Sequence, residues 1–180
     1  MSPSPSPAVL LFLDIDGTLI PFGADHPYPV YEAAHPLPRT ADHPLLSRVD
    51  PALGVRLSGF AALGCELVWA TTWLDDANIC LAPWLGLPPL PMVEWPDEGD
   101  APRLGPRGLH WKTRPLVARA AGRPFVWLDD EITDADRAWV AGNHPAPALL
   151  HHVDPRQGLT DRDFTVLQEW LTACGGPAAR

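Results

Sequence analysis

Four short runs of unbroken apolar residues constrain this chain more than anything else in it: residues 9–13 (VLLFL), 67–70 (LVWA), 125–128 (FVWL) and the shorter 148–150 (ALL). A strand with no polar alternation must be buried on both faces, as in a parallel sheet covered by helices. The stretches between the runs carry helical spacing instead. Asp50 and Pro51 suit the cap and first position of a helix that places Leu53, Leu57, Phe60 and Ala61 on one side and ends at Gly64. Further helices are predicted over residues 74–81, over 113–121 with Pro115 in its first turn, from Thr133 or Asp134 to 141, and from Thr160 through Phe164, Leu167 and Leu171. Strands alternating with helices predict an α/β fold with a mainly parallel sheet, whose ligands sit beyond the carboxyl ends of the strands.

At 180 residues, with 46% hydrophobic and 19% charged, the chain fits one globular domain. That domain is placed at residues 8–175, between a Pro/Ser tail at 1–7, expected to be disordered, and a short tail at 176–180. The 23 prolines cluster in 3–7, 21–51 and 83–106, which marks those stretches as loops. Loops 20–46 and 83–109 are long for structureless connections, so they are expected to lie near the site.

Acidic residues outnumber basic ones 22 to 13, for a net charge of −9. This disfavours a protein that grips DNA or RNA through a broad basic face, and no sequence-specific DNA binding is expected. Cys65, Cys80 and Cys174 form neither a C-x-x-C pair nor a zinc-like spacing, which suits a reducing compartment. The N-terminal stretch has no Lys or Arg and too few apolar residues for a signal peptide or membrane helix. The expectation is a cytoplasmic protein without a membrane partner.

The three main apolar runs end in polar residues: Asp14-Ile15-Asp16-Gly17-Thr18, then Thr71-Thr72, then Asp129-Asp130-Glu131 with Asp134 close behind. Parallel strands would bring these to one edge, with at least three carboxylates within a few ångströms. Carboxylates so placed repel, so either one stays protonated or a cation sits among them. Oxygen ligands without a Cys or His cluster select a hard ion such as Mg²⁺. The plainer alternative is that acids at strand ends simply cap helices, which fits Asp134 alone better than it fits the set.

The DIDGT run at 14–18 behind an apolar strand resembles the first motif, D-x-D-G-T, of the haloacid dehalogenase superfamily of hydrolases, most of them phosphatases. Thr71 after its own apolar run matches the second motif, Lys112 the third, and Asp129-Asp130 the acidic fourth, all in order over roughly residues 8–155. The resemblance implies a Rossmann-like three-layer fold and hydrolysis of a phosphate monoester through an aspartyl-phosphate. It makes Asp14 the nucleophile and Asp16 the general acid and base. Thr71 would bond a phosphoryl oxygen, with Thr72 able to exchange roles with it, and Lys112 would place a compact charge beside the phosphoryl group. Asp14, Asp129 and Asp130, with the backbone carbonyl of Asp16, would hold Mg²⁺. Trp73 departs from the commoner pattern and could stack on a substrate ring, although core packing is the more frequent use of such a residue. Asp130 and Asp134 are both candidates to orient Lys112 or a metal-bound water. Asp16 favours ester hydrolysis over dehalogenation, because an alkoxide needs a proton and a halide does not.

A signalling receiver-like domain and a catalytically silent phosphate-binding protein are the competing readings. His26, His35 and His43 read more readily as solvated loop histidines than as site residues, and His110 is a weak site candidate. The intervals 19–70 and 73–111 leave only about 27 and 25 loop residues once their helices and strand are subtracted, short of the roughly 50 a cap domain with its own core needs. No separate cap domain is therefore expected. An open site favours a large phosphorylated substrate, such as a nucleic-acid end or a protein, if Arg103, Arg107 and Arg114 supply a local basic rim. A nucleotide or other small ester is the alternative.

Overall fold

The computed structural model describes residues 8–39, 41–95 and 108–175. The segment 1–7, the tail 176–180, Arg103 and Arg107 lie outside the described residues. Strands β1 (Leu10–Leu13), β2 (Glu66–Trp69), β3 (Phe125–Asp129) and β4 (Ala148–His152) form one sheet in the order β2-β1-β3-β4, parallel at every pairing. Leu13 lies opposite both Trp69 and Leu128, so β1, β2 and β3 end together at one edge.

The helices are α1 (Ala52–Ala62), α2 (Ala82–Trp84), α3 (Thr113–Ala120), α4 (Asp134–Asn143) and α5 (Asp161–Gly175). One sheet face, with Leu11, Leu13, Leu67 and Val126, packs on Leu57 and Phe60 of α1 and on Phe164 and Leu167 of α5. The other, with Leu10, Phe12, Val68 and Trp127, packs on Leu116 of α3 and Val140 of α4. This is the three-layer Rossmann-like arrangement, and alternate residues of each strand enter opposite cores.

Asp50 Oδ1 accepts from Ala52 N at 2.9 Å, and Gly64 takes φ +90° just past the end of α1. The helix predicted over 74–81 forms, but Ala77–Leu81 winds as a π-helical turn that leads into α2. Pro83 gives the physical reason. It has no N–H to donate, and its ring would crowd the carbonyl four residues back, so the wider turn relieves it.

The proline-rich loop is pinned to the body by Phe22 N to Pro155 O (2.7 Å) and Tyr31 N to Ser47 O (2.8 Å). Among the described residues, both apolar clusters belong to the sheet, and neither long interval builds a second core. No helix among them is long and apolar enough to cross a membrane.

Candidate active site

Asp14 is the first residue beyond β1. Its N–H donates to Leu128 O (3.1 Å), while Ala70 N donates to Leu13 O (2.7 Å), which fixes the chain between β2 and β3. The backbone then turns: Leu19 N and Ile20 N both donate to Ile15 O (2.8 and 2.9 Å), and Gly17 N to Ile20 O (2.9 Å). Gly17 holds φ +75°, and a Cβ there would lie 2.3 Å from the Asp130 carboxyl carbon. Glycine is thus required twice, for the turn and for the approach of Asp130.

Lys112 caps α3 with only 4% of its surface exposed. Its Nζ donates to Asp14 Oδ1 and to Asp129 Oδ2, each at 2.7 Å. Asp129 Oδ2 also accepts from Trp127 Nε1 (3.1 Å) and its Oδ1 from Glu131 N (2.9 Å). Burial pulls Lys112 toward its neutral form, but Asp14 and Asp129 together outweigh it and keep the ammonium charged. For Asp14 the balance falls the other way. Burial pushes its pKa up to about 8, Asp129 adds to the rise, and Lys112 only partly opposes it. Asp130 rises to about 6, through burial first and then the neighbouring Asp129.

Asp14, Asp129 and Asp130 each offer a carboxylate oxygen within 4.8 Å of the others. One ammonium among three buried or half-buried acids leaves the cluster short of positive charge. An all-oxygen donor set of this kind fits a hard divalent cation. The Asp16 carboxylate lies outside this group; its Oδ2 accepts from Trp73 Nε1 at 2.9 Å.

The structure buries Thr71 and exposes Thr72. Thr71 Oγ1 accepts from Trp73 N (3.3 Å), and its carbonyl accepts from Trp95 Nε1 (2.9 Å). Trp73 is half-buried, held by Asp16 on one side and by the His43 ring, whose centroid lies 4.3 Å from its own, on the other. His43 is therefore no solvated loop residue: it carries the proline-rich loop to the site. His26 and His35 are exposed, as expected.

Sequence reasoning left open whether Asp130 or Asp134 orients Lys112, and neither bonds it. Asp134 is fully exposed on the first turn of α4, where it pairs with Arg137 at 3.0 Å, so it is corrected to a surface residue. The residue missed was Asp136. It accepts from Thr133 N (2.8 Å), Thr133 Oγ1 (2.6 Å), Thr113 Oγ1 (2.6 Å) and His110 N (2.8 Å). Burial disfavours its charge, yet these donors lower its pKa below the usual carboxylate value. Thr113 and His110 flank Lys112, so Asp136 anchors the backbone that carries the lysine. His110 Nδ1 accepts from Lys112 N (3.2 Å), which leaves its ring proton on Nε2, facing Glu131 at 3.0 Å. The signal for Asp136 was in the sequence: Thr133-x-x-Asp136 is a capping box.

A family model described as the HAD domain in Swiss Army Knife RNA repair proteins, HAD denoting haloacid dehalogenase, matches residues 10–164. The chain belongs to this family. No curated protein and no solved structure gave a significant match. The family assignment makes this HAD domain a hydrolase of haloacid dehalogenase type, a superfamily that generally uses a divalent metal. The acidic cluster at Asp14 has the donors such a metal needs.

Proposed function

We propose that this HAD domain is a Mg²⁺-dependent phosphatase that removes a terminal phosphate from RNA through an aspartyl-phosphate on Asp14. The observation that carries the reading is Lys112 Nζ, 2.7 Å from both Asp14 and Asp129, at the edge where Asp16 stands two residues further on. The RNA terminus rests on the family's occurrence in RNA repair proteins and on a site that the described residues cover only with loops.

In the first step an Asp14 carboxylate oxygen attacks phosphorus, and the bond to the leaving oxygen breaks as Asp16 protonates that oxygen. In the second step Asp16 takes a proton from water, the water oxygen attacks phosphorus, and the bond to Asp14 breaks to release phosphate. The Trp73 indole Nε1–H fixes Asp16 Oδ2, which leaves Oδ1 to carry the proton. Thr71 Oγ1 accepts from the Trp73 backbone, which leaves its own hydrogen for a phosphoryl oxygen. Lys112 supplies a compact positive charge to the same group. Asp14, Asp129 and Asp130, with the Asp16 carbonyl, are the groups that would hold Mg²⁺, which when bound neutralises charge on the phosphoryl oxygens.

The test is phosphate release, with Mg²⁺ and with EDTA, from 3′- and 5′-phosphorylated oligoribonucleotides, nucleotides, sugar phosphates, phosphopeptides and p-nitrophenyl phosphate. Metal-dependent release that is fastest from an RNA end is expected. A small metabolite hydrolysed with kcat/KM above about 10⁵ M⁻¹s⁻¹, with RNA orders of magnitude slower, would contradict the substrate. No metal-dependent release from any ester would leave a silent binding protein.

A further inference from the structure

Next to the active site, residues 92–95 and the outer face of α3 enclose an open groove of about 890 Å³. That is within the size range of ligand sites, roughly 300–1,000 Å³. Trp95 and Trp111 line it as a nearly perpendicular pair with ring centroids 4.7 Å apart, both half-buried. The groove runs into the catalytic edge at two points. Trp95 Nε1 donates to the Thr71 carbonyl at 2.9 Å, and Lys112 Nζ lies 5.7 Å from the centre of the Trp111 ring. Its rim carries two exposed arginines, Arg114 and Arg119, against one acid, Glu94. Arg119 lies 3.6 Å from Glu66, and Arg114 sits 5.5 Å from the Trp139 ring. In a chain of net charge −9, aromatic rings and guanidinium groups gathered beside a phosphate-handling site form a combination that suits a base and its backbone phosphate.

We propose that this groove binds the single-stranded RNA segment adjoining the terminal phosphate, with a base stacked on the Trp95–Trp111 pair and backbone phosphates facing Arg114 and Arg119. The proposal rests on the RNA-end reading, and it explains how an acidic protein holds a polyanion: recognition is confined to one short groove. Stacking tolerates any base, so the groove selects strand length and single-strandedness over sequence.

Binding is measured by fluorescence anisotropy of labelled, 3′- and 5′-phosphorylated oligoribonucleotides from one to eight nucleotides long, in EDTA so that no turnover occurs. Phosphate release by the Mg²⁺-loaded protein is followed separately, so a loss of catalysis and a loss of binding are told apart. Affinity should rise about tenfold or more from one nucleotide to three or four and then level off. Trp111→Ala should erase most of that gain while Trp111→Phe restores it, and Arg114→Glu, which leaves the tryptophans in place, should weaken binding and flatten its salt dependence. Affinity independent of length, equal affinity for an abasic strand, or wild-type affinity in both Arg114→Glu and a folded Trp111→Ala would overturn the groove. Binding as proposed but without metal-dependent phosphate release would leave the groove standing and overturn the phosphatase.

Discussion

Two sets of buried or half-buried carboxylates in this protein behave in opposite ways. Asp136 and Asp163 each sit at the start of a helix among converging donors. Asp163 accepts from Thr160 N (2.7 Å), Thr160 Oγ1 (2.6 Å) and His151 Nε2 (2.7 Å). Burial works against its charge, but the donors win and carry its pKa down to about 2. Asp14, more deeply buried, shares the Lys112 ammonium with Asp129, and Asp130 has no bond to that ammonium; their pKa values rise to about 8 and about 6. The chain completes the first set by itself. The second stays short of positive charge, as a site must be if a cation and a phosphoryl group are to enter it.

The sharpest way to break this contrast is to neutralise one member of each set. Asp14→Asn should abolish turnover, by about 10⁴-fold or more, and leave thermal stability in EDTA unchanged or higher. Both are read from one preparation by phosphate release and melting temperature. Asp16→Asn should cost most with poor leaving groups and least with p-nitrophenyl phosphate, so a loss equal across leaving groups would count against its role as the acid.

Lys112 comes next. Twelve of the 13 basic residues are arginine, and the one lysine is the residue between Asp14 and Asp129. A planar guanidinium is too wide for that gap, so Lys112→Arg should lower kcat by about 10²-fold or more. Near-normal activity would show that a compact charge is not needed there.

Asp136→Ala should reverse the pattern of Asp14→Asn. With Thr133 N, Thr113 Oγ1 and His110 N left without their acceptor, denaturant unfolding should show a loss of about 2–4 kcal/mol. Turnover at low temperature, where the protein stays folded, should fall less than in Lys112→Arg.

Proton linkage gives a smaller effect with a definite sign. Raised carboxylate pKa values mean that the metal-free native state holds more protons than the unfolded chain between about pH 4 and 8, so its stability should fall as pH rises through that window. The lowered values of Asp136 and Asp163 act in the other window, where stability is present above about pH 4 and lost as pH falls toward 2. Calorimetry with and without Mg²⁺ should therefore show a larger metal-induced rise in Tm at pH 8 than at pH 5. An equal rise at both would mean that the acids are not the metal's ligands.

Trp73→Phe should have the mildest effect, a loss of roughly five- to tenfold confined to esters with poor leaving groups. A smaller aromatic ring is left to face His43, and the bond from Trp73 Nε1 to Asp16 is lost.

These contrasts also mark where the sequence stops being readable. The strands were legible because residues 9–13, 67–70 and 125–128 have no polar alternation, and burial on both faces leaves them no other place. The edge at which Asp14, Thr71, Lys112 and Asp129 meet follows from parallel strands. Which acid a lysine reaches depends on side-chain direction at a strand end, so Asp130 and Asp134 looked alike on paper although one is half-buried and the other exposed. The π-helical turn has its cause in Pro83 a few residues on, whereas the reach of His43 to Trp73 depends on packing between distant segments, which no local pattern encodes. Asp136 was readable as a capping box, but its part in anchoring Lys112 appears only once Thr113 and His110 are seen to share it.

The central claim is that Asp14 carries the phosphoryl group, and trapping it tests that claim most directly. Asp16→Asn protein, which lacks the base for the second step, is mixed with ³²P-labelled p-nitrophenyl phosphate and Mg²⁺ and quenched in acid within milliseconds. The account predicts an acid-stable, hydroxylamine-labile label on the peptide bearing Asp14, absent in EDTA and absent when Asp14→Asn is added. Rapid release of p-nitrophenol with no label at Asp14, or a label that survives Asp14→Asn, would contradict it.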